Sequence, residues 1–265
     1  PESFEDAKYS ATRERSVGLG VMGFHSFMQK NMIPIESVMA KVWNKKMFQL
    51  IDKEVNAASK KLAEERGPCP DAAEYGINER FSNKTAIAPT ASISIICGGA
   101  SPGIEPIAAN SYTHKTLSGS FNVRNKYLRK ILQKYNQDTN EVWSSITTNQ
   151  GSIDHLDFLS QDEKDVFKTA FEIDQRWLID HSADRTPYIS QAQSLNVFIP
   201  ADIHKKQLHQ IHYQAWKKGL KSLYYCRSKS IQRAEVVNDS FAKTKKQKEQ
   251  EKQQTTDYEE CLSCQ

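Results

Sequence analysis

The stretch IAPTASISIICGGASPGIEP, residues 87–106, constrains the fold more than any other part of this chain. A short apolar segment leads into Pro89 and a run of small and hydroxyl-bearing side chains, and Gly98 and Gly99 follow about two helical turns later. Proline suits a first helical turn and glycine ends helices. We therefore expect a short helix whose N-terminus faces the end of a strand.

The N-terminus of this predicted helix is suited to hold an anion. Backbone N–H groups are unpaired at such a point, and the helix dipole places about half a positive charge there. The small side chains of Thr90, Ala91 and Ser92 would let an anion approach the backbone. These features are typical of a phosphate site, but an ordinary capped helix shares them, so the residues alone leave both interpretations open.

The spacing of apolar residues predicts three further helices. One covers about 36–66 and ends at Gly67-Pro68, and a second begins at Ser160, with Glu163 completing a capping box, and continues through Leu178. The third places on one face Leu208, Ile211, Ala215, Trp216 and Leu220. Strands are expected at 84–88, 194–199 and 222–226.

Composition changes after Arg227. Residues 228–260 hold few apolar side chains, too few to offset the entropy of ordering, so we expect a domain over 1–227 and a disordered tail over 228–265. Seven basic and seven acidic side chains lie in 228–265, so the body carries the net charge of +4. A neutral tail is a poor nucleic-acid arm, and we expect no nucleic-acid partner.

The remaining composition favours a cytoplasmic protein without a membrane partner. No apolar run approaches the roughly 18–20 residues of a membrane span, and residues 1–15 are charged throughout, unlike a secretory signal. Five cysteines in such a chain argue against a disulfide scaffold. Pro1 fits a natural N-terminus from which methionine has been removed, and it equally fits an internal boundary.

Cys261 and Cys264 form a C-x-x-C pair at the end of the tail. Such a pair is half of a zinc site, but no second pair or His-x-His partner lies near it, so we expect no metal here. The nearby acids Asp257, Glu259 and Glu260 disfavour the thiolate.

Two other groups of potential ligands are expected to be structural. His204, His209 and His212 have a spacing that does not stack them as a metal pair, so we expect solvated or packing roles. The singly placed cysteines, expected to be small buried hydrophobes, are Cys69, Cys97 and Cys226.

Five blocks of this sequence together resemble the large (α) subunit of class I ribonucleotide reductases. In chain order they are RSVGLGVMGF, APTASIS with GIEP, SYTHKTLSGSF, DRTPYISQAQSLNVFI and AWKKGLKSLYYCR, within about 13–227. The resemblance implies an α/β fold, the C-terminal part of the ten-stranded barrel of these subunits. It also implies that the loop Pro89, Thr90, Ala91, Ser92 and Ile93 binds the diphosphate of a nucleoside diphosphate substrate.

The same resemblance implies a functional role for Tyr224 and Tyr225. Adjacent residues on a strand point to opposite faces, so one ring would be expected in a core. In class I reductases this pair instead relays a radical from the metal-containing small (β) subunit, each phenol losing an electron and a proton in turn. The resemblance therefore implies a small-subunit partner and no cofactor bound by this chain itself.

The resemblance also gives Cys261 and Cys264 a role. In the family the tail dithiol reduces a disulfide formed in the active site at each turnover, and thioredoxin or glutaredoxin then reduces the tail. A flexible coil of this length spans roughly 30–35 Å, enough to reach into a barrel mouth.

One expected element is missing from the sequence. The family's radical cysteine stands in an Asn-x-Cys-x-Glu motif, which does not occur here. The resemblance thus predicts one half of a split α chain, inactive without a separate polypeptide that carries the N-terminal part, and joined to it through a large apolar interface. The alternatives are a non-catalytic regulatory or binding homologue and a stand-alone thiol–disulfide carrier.

Overall fold

Short parallel pairings between extended segments organise the chain. The computed structural model describes residues 4–116 and 119–228. The parallel pairs are Leu19 with Thr85, Ile87 with Gln193, and β3 (Val197–Ile199) with β4 (Cys226–Ser228). The extended segments therefore lie side by side in chain order, and each connection between them contains helices, as in an α/β barrel wall.

Ten helices and one antiparallel hairpin surround these segments in the described residues. The helices are α1 (Glu5–Glu14), α2 (Phe24–Lys30), α3 (Val38–Arg66), α4 (Pro70–Glu74), α5 (Ala91–Ile96), α6 (Lys126–Lys134), α7 (Asn140–Thr148), α8 (Gln161–Val166), α9 (Gln175–Arg185) and α10 (Lys205–Lys217). The hairpin joins β1 (Ser111–Thr116) to β2 (Gly119–Arg124), and a 3-10 turn covers Thr186–Tyr188.

The predicted long helix and its end are confirmed by α3. Ser37 accepts from the N–H of Ala40 at its start, and Gly67 ends it at φ 77°, a conformation open to glycine. The apolar residues whose helical spacing predicts α3 include Val38 and Phe48, and they do not all face the core. The buried residues of α3 are Ala40, Asn44, Phe48, Ser59 and Ala63, whereas Val38 is 72% exposed.

The single helix predicted from Ser160 to Leu178 is wrong, although its capping box is present. Helix α8 ends at Val166, and α9 begins after Asp174, whose side chain accepts from the N–H of Arg176. In the segment between them, the carbonyls of Ala170 and Ile173 accept from Nε2 of Gln175, the first residue of α9, at 3.0 and 2.7 Å. These buried bonds satisfy a turn that an apolar pattern does not reveal.

Three smaller predictions also need correction. Residues 84–88 pair through isolated bridges rather than a continuous ladder, and the last strand begins at Cys226 instead of 222. Trp216 is 73% exposed, so it does not share the buried face of Ile211 and Ala215 on α10.

Close contact between backbones explains Gly20 in the block RSVGLGVMGF. The N–H of Leu19 donates to Lys84 O, and Ala86 N–H donates to Leu19 O, both at 3.0 Å. A Cβ atom on Gly20 would lie 2.7 Å from the Ala86 carbonyl oxygen. A larger residue would therefore force the two extended segments apart.

The described core has three parts. One lies under α2, α3 and α9, one joins β3 to α9 and α10, and one belongs to α6–α8 around Trp143 and Phe167. None of the helices in the described ranges combines the length and apolar character needed to cross a membrane.

His25 is a buried neutral histidine in α2. Its Nδ1 accepts from the N–H of Ile107 at 3.1 Å, so protonation of Nδ1 would break this bond. Burial lowers the pKa of His25 to about 3. The folded protein therefore keeps His25 neutral at pH values where the unfolded chain is protonated.

We predict that His25→Gln reduces the loss of stability in mild acid. Below about pH 6.5 the unfolded chain binds one proton more at His25 than the folded one, so this residue costs about 1.4 kcal/mol per pH unit as pH falls toward 3. Glutamine can still accept from Ile107 but does not titrate. Urea unfolding of both chains at pH 7 and pH 5 measures this, and a free-energy difference between them that is the same at both pH values contradicts it.

Candidate functional site

The loop that begins at Pro89 leaves backbone donors exposed. After the extended segment 85–87 the chain enters α5, and no bond within the described residues engages the N–H groups of Ala91, Ser92 and Ile93. The side chains of Ala91 and Ser92 are small and exposed. The predicted short helix is confirmed, and its first turn can present three donors to an anion.

The start of α5 differs from the sequence prediction in one respect. Pro89 precedes the N-cap rather than lying in the first turn, and Thr90 is the N-cap in the left-handed conformation at φ 55°. The Thr90 hydroxyl does not cap the helix but accepts from the N–H of Gly103 at 2.7 Å. A β-branched residue with positive φ is strained, so this bond helps to hold the loop.

Gly103 is the first residue of GIEP and lies against Ala88 and Pro89, at the start of APTASIS. Its φ is 47°, and an added Cβ would be 3.0 Å from the carbonyl oxygen of Ala88. Two residues earlier, Ser101 and Ser26 exchange bonds, each hydroxyl accepting from the other's N–H at 2.8 and 3.0 Å. Loop 101–105 is therefore fastened both to α2 and to the start of α5.

Tyr224 and Tyr225 lie in contact with each other at the surface. Their ring centroids are 4.1 Å apart, and the residues are 48% and 42% exposed. The expectation that one ring would lie in a core is therefore wrong. The guanidinium of Arg227 lies 5.6 Å from the centre of the Tyr225 ring.

A buried carboxylate is connected to the backbone of Tyr225 through hydrogen bonds. Glu105, only 4% exposed, accepts from the backbone N–H and the side-chain Nδ2 of Asn196 at 2.7 and 3.0 Å. Asn196 Oδ1 in turn accepts from the N–H of Tyr225 at 3.0 Å. Burial raises the pKa of Glu105, while the bonds from Asn196 and the charge of Arg227 oppose the rise.

Neither Glu105 nor Asn196 is among the residues that the sequence patterns single out. The available signal is weak: each is a polar residue inside an apolar run, GIEP and SLNVFI. Buried polar side chains are hydrogen-bonded in folded proteins, so such residues are candidates for partners of each other.

Of the three single cysteines expected to be buried, only one is buried in the structure. Cys69 is buried as expected, but Cys97 and Cys226 are exposed. The thiol of Cys226 is nevertheless partly shielded from water by its neighbours, and this desolvation raises its pKa. Cys261 and Cys264 lie outside the described residues, within which no group of three or more potential metal ligands occurs.

The three histidines of the α10 region have the structural roles expected of them. His204 accepts from the N–H of Lys206 at the start of the helix, His209 stacks on Tyr213, and His212 contacts the Leu208 carbonyl. They do not converge on one point of the helix.

The family model for the barrel domain of ribonucleotide reductase matches residues 2–75 and 70–226. The chain belongs to the ribonucleotide reductase family. It corresponds to a C-terminal portion of the large subunit, which confirms the resemblance drawn from the five blocks. The barrel assignment agrees with the parallel extended segments and their helical connections.

Among curated ribonucleotide reductases, the chain is 48% identical over 244 residues to a ribonucleoside-diphosphate reductase large subunit of Invertebrate iridescent virus 6. That alignment covers 91% of this chain and 25% of the viral protein. A large subunit of Caenorhabditis elegans is 32% identical over 98% of this chain and 37% of its own length. The chain thus spans well under half of these curated relatives.

A solved ribonucleotide reductase has the same fold. The class Id ribonucleotide reductase alpha subunit of Actinobacillus ureae superposes with a TM-score of 0.80 at 37% sequence identity. The match covers 89% of this chain and 42% of that one.

We predict that Thr90→Val destabilises the protein by about 1–2 kcal/mol, because the N–H of Gly103 loses its acceptor. Thr90→Ser is the matched control: it keeps the hydroxyl and should unfold within about 0.5 kcal/mol of the unmodified chain. Urea unfolding measures both. Equal stability of the Val and Ser variants would show that the bond does not hold the loop.

Proposed function

We propose that this chain is the C-terminal component of an aerobic, class I ribonucleoside-diphosphate reductase, which converts ribonucleoside diphosphates to deoxyribonucleoside diphosphates in the cytoplasm. The contact between the exposed phenol rings of Tyr224 and Tyr225 carries the proposal. A pair of phenols in contact at a surface is arranged for electron exchange with a partner, which a tyrosine buried in a core is not.

The substrate diphosphate is proposed to bind at Pro89, Thr90, Ala91, Ser92 and Ile93. The free N–H groups of residues 91–93 support this, because they can donate to phosphate oxygens without displacing an existing bond. The hydroxyl of Thr90 accepts from the N–H of Gly103, which holds the loop and leaves the O–H hydrogen available to donate to a phosphate oxygen. The small side chains leave the donors accessible.

Tyr224 and Tyr225 are proposed to carry an oxidising equivalent from the small subunit toward the active site. The phenol nearer to the small subunit loses an electron and a proton and recovers both from its neighbour, which is thereby oxidised. Ring contact at 4.1 Å makes this exchange a short step. The metal that generates the first radical would be held by the small subunit and not by this chain.

Cys261 and Cys264 are proposed to deliver reducing equivalents. Their dithiol would reduce an active-site disulfide, becoming a disulfide itself as two thiols form at the target, and thioredoxin or glutaredoxin would reverse the change. The sequence lacks an Asn-x-Cys-x-Glu motif, so both the radical cysteine and this target would lie on a separate polypeptide with the N-terminal part.

Exposed apolar side chains support the proposed association with a polypeptide that carries the N-terminal part. Val17 and Leu19, on the first extended segment, are 45% and 52% exposed, and this segment pairs on one side only within the described residues. Helix α3 also exposes Val38, Met39 and Leu50. An open sheet edge and exposed apolar helix residues are typical of a large obligate interface.

The proposal is tested by assaying ribonucleoside-diphosphate reduction with the small subunit and a dithiol. We expect turnover only when an α-subunit N-terminal part is added, because this chain lacks the radical cysteine motif. Substantial turnover by this chain alone would refute the split arrangement. The absence of turnover in every reconstitution would refute the proposed reductase function.

We predict that Tyr224→Phe and Tyr225→Phe each lower kcat by at least about 100-fold in the reconstituted complex, because phenylalanine cannot be oxidised in the tyrosine's place, while KM for the substrate stays unchanged. Tyr213→Phe, which alters an equally exposed tyrosine on α10, is the matched control and should keep full activity. A binding or regulatory homologue would be indifferent to all three changes.

A further inference from the structure

Tyr224 and Tyr225 together occupy the place of a single residue in the strand pairing. The N–H of Tyr224 donates to Leu195 O at 2.8 Å, whereas the carbonyl of Tyr225 accepts from the N–H of Val197 at 2.9 Å. In regular parallel pairing one residue makes both of these bonds. The two tyrosines therefore form a β-bulge opposite Asn196.

This bulge explains the contact between the rings. Consecutive side chains of a regular strand point to opposite faces, but a bulge redirects one of them. The rings of these consecutive residues are accordingly 4.1 Å apart. The bulge also leaves the N–H of Tyr225 without a backbone acceptor, and the side chain of Asn196 fills that role at 3.0 Å.

The orientation of the Asn196 amide is decided by Glu105. An ionised carboxylate only accepts hydrogen bonds, so the Nδ2 end of Asn196 must face Glu105 Oε2, as it does at 3.0 Å. The Oδ1 end must then face the other way, toward the N–H of Tyr225. Glu105 Oε1 also accepts from the backbone N–H of Asn196 at 2.7 Å, which fixes both ends of the residue.

We propose that Glu105 is a positioning residue for the tyrosine pair: by fixing the Asn196 amide it stabilises the bulge that holds the two phenol rings in contact. The effect of Glu105 on nucleotide reduction rests on the proposed function, whereas its effect on the contact between the rings does not. Glu105 does not touch the rings, and its effect passes entirely through Asn196.

The three bonds allow an exchange experiment. In Glu105→Gln, the amide oxygen must still accept from the backbone N–H of Asn196, so the new amide nitrogen faces Asn196 Nδ2, and two donors oppose each other. Rotating the Asn196 amide by half a turn removes this conflict, but Nδ2 then faces the N–H of Tyr225, which is also a donor. In Asn196→Asp, two carboxylates face each other. In the double variant E105Q/N196D, the introduced glutamine donates to the introduced aspartate, which also accepts from the N–H of Tyr225, and every bond is restored.

The first readout needs no partner and no activity. The full 265-residue chain is labelled with 3-fluorotyrosine, and the ¹⁹F resonances of positions 224 and 225 are assigned with the two Tyr→Phe variants. We expect both resonances to shift or broaden in E105Q and in N196D and to return to the original positions in the double variant. Unchanged resonances in E105Q, or a double variant no closer to the original than the single ones, would overturn the proposal.

Glu36→Gln is the matched control for a merely structural carboxylate. Glu36 likewise accepts from one backbone N–H, that of Asp174, and from one side chain, that of Lys168, both at 2.7 Å. We expect E36Q to lower stability without moving either tyrosine resonance. If E105Q does not fold, the double variant must still fold with the original resonances, and its failure to do so also overturns the proposal.

The second readout is nucleotide reduction by the reconstituted complex. We expect E105Q to lower kcat at least tenfold with KM unchanged, and the double variant to recover most of it. If the unmodified complex is active and E105Q reduces nucleotides at the full rate, Glu105 does not position a working relay. If the unmodified complex is inactive, the proposed function fails while the fluorine result still decides the geometry.

Discussion

The bond from Glu105 to Asn196 is the interaction on which the candidate relay depends. It lies in a buried setting, where an unpaired polar group costs more free energy than a hydrogen bond contributes at a surface. Every polar group in this network has a partner: Asn196 Nδ2 donates to the Glu105 carboxylate, and Asn196 Oδ1 accepts from the N–H of Tyr225. Since the bulge leaves a donor without a backbone acceptor, it needs such a side-chain acceptor to persist.

One loop connects this network to the proposed diphosphate site. Gly103 donates to Thr90, at the start of α5, and Glu105 lies two residues further along the same segment. Because Gly103 donates to Thr90 and Ser101 exchanges hydrogen bonds with Ser26, the loop is held both to the start of α5 and to α2. The proposed diphosphate site and the tyrosine pair thus both depend on hydrogen bonds made by this one loop.

Local signals account for what the sequence predicts well. Ser37 and Gly67 bound α3, and Ser160 with Glu163 starts α8, because caps depend on a few neighbouring residues. The break between α8 and α9 depends instead on the side chain of Gln175 donating to nearby carbonyls, which an apolar pattern does not reveal. The bulge at Tyr224-Tyr225 depends on Asn196 and Glu105, far away in the chain. The short helix α5 is predictable from the sequence, but the hydrogen bond that Thr90 accepts from Gly103 is not.

The position of the tyrosines at the surface has a consequence for the assembly. A phenol pair can pass on an oxidising equivalent only if a partner protects one side from solvent and a thiol receives the equivalent on the other. The sequence holds no Asn-x-Cys-x-Glu motif to supply that thiol, and the open edge at Val17 and Leu19 offers apolar surface to a further chain. On the proposed function, the phenol pair and the tail dithiol would both depend on the same part of the large subunit, the part that carries the radical cysteine.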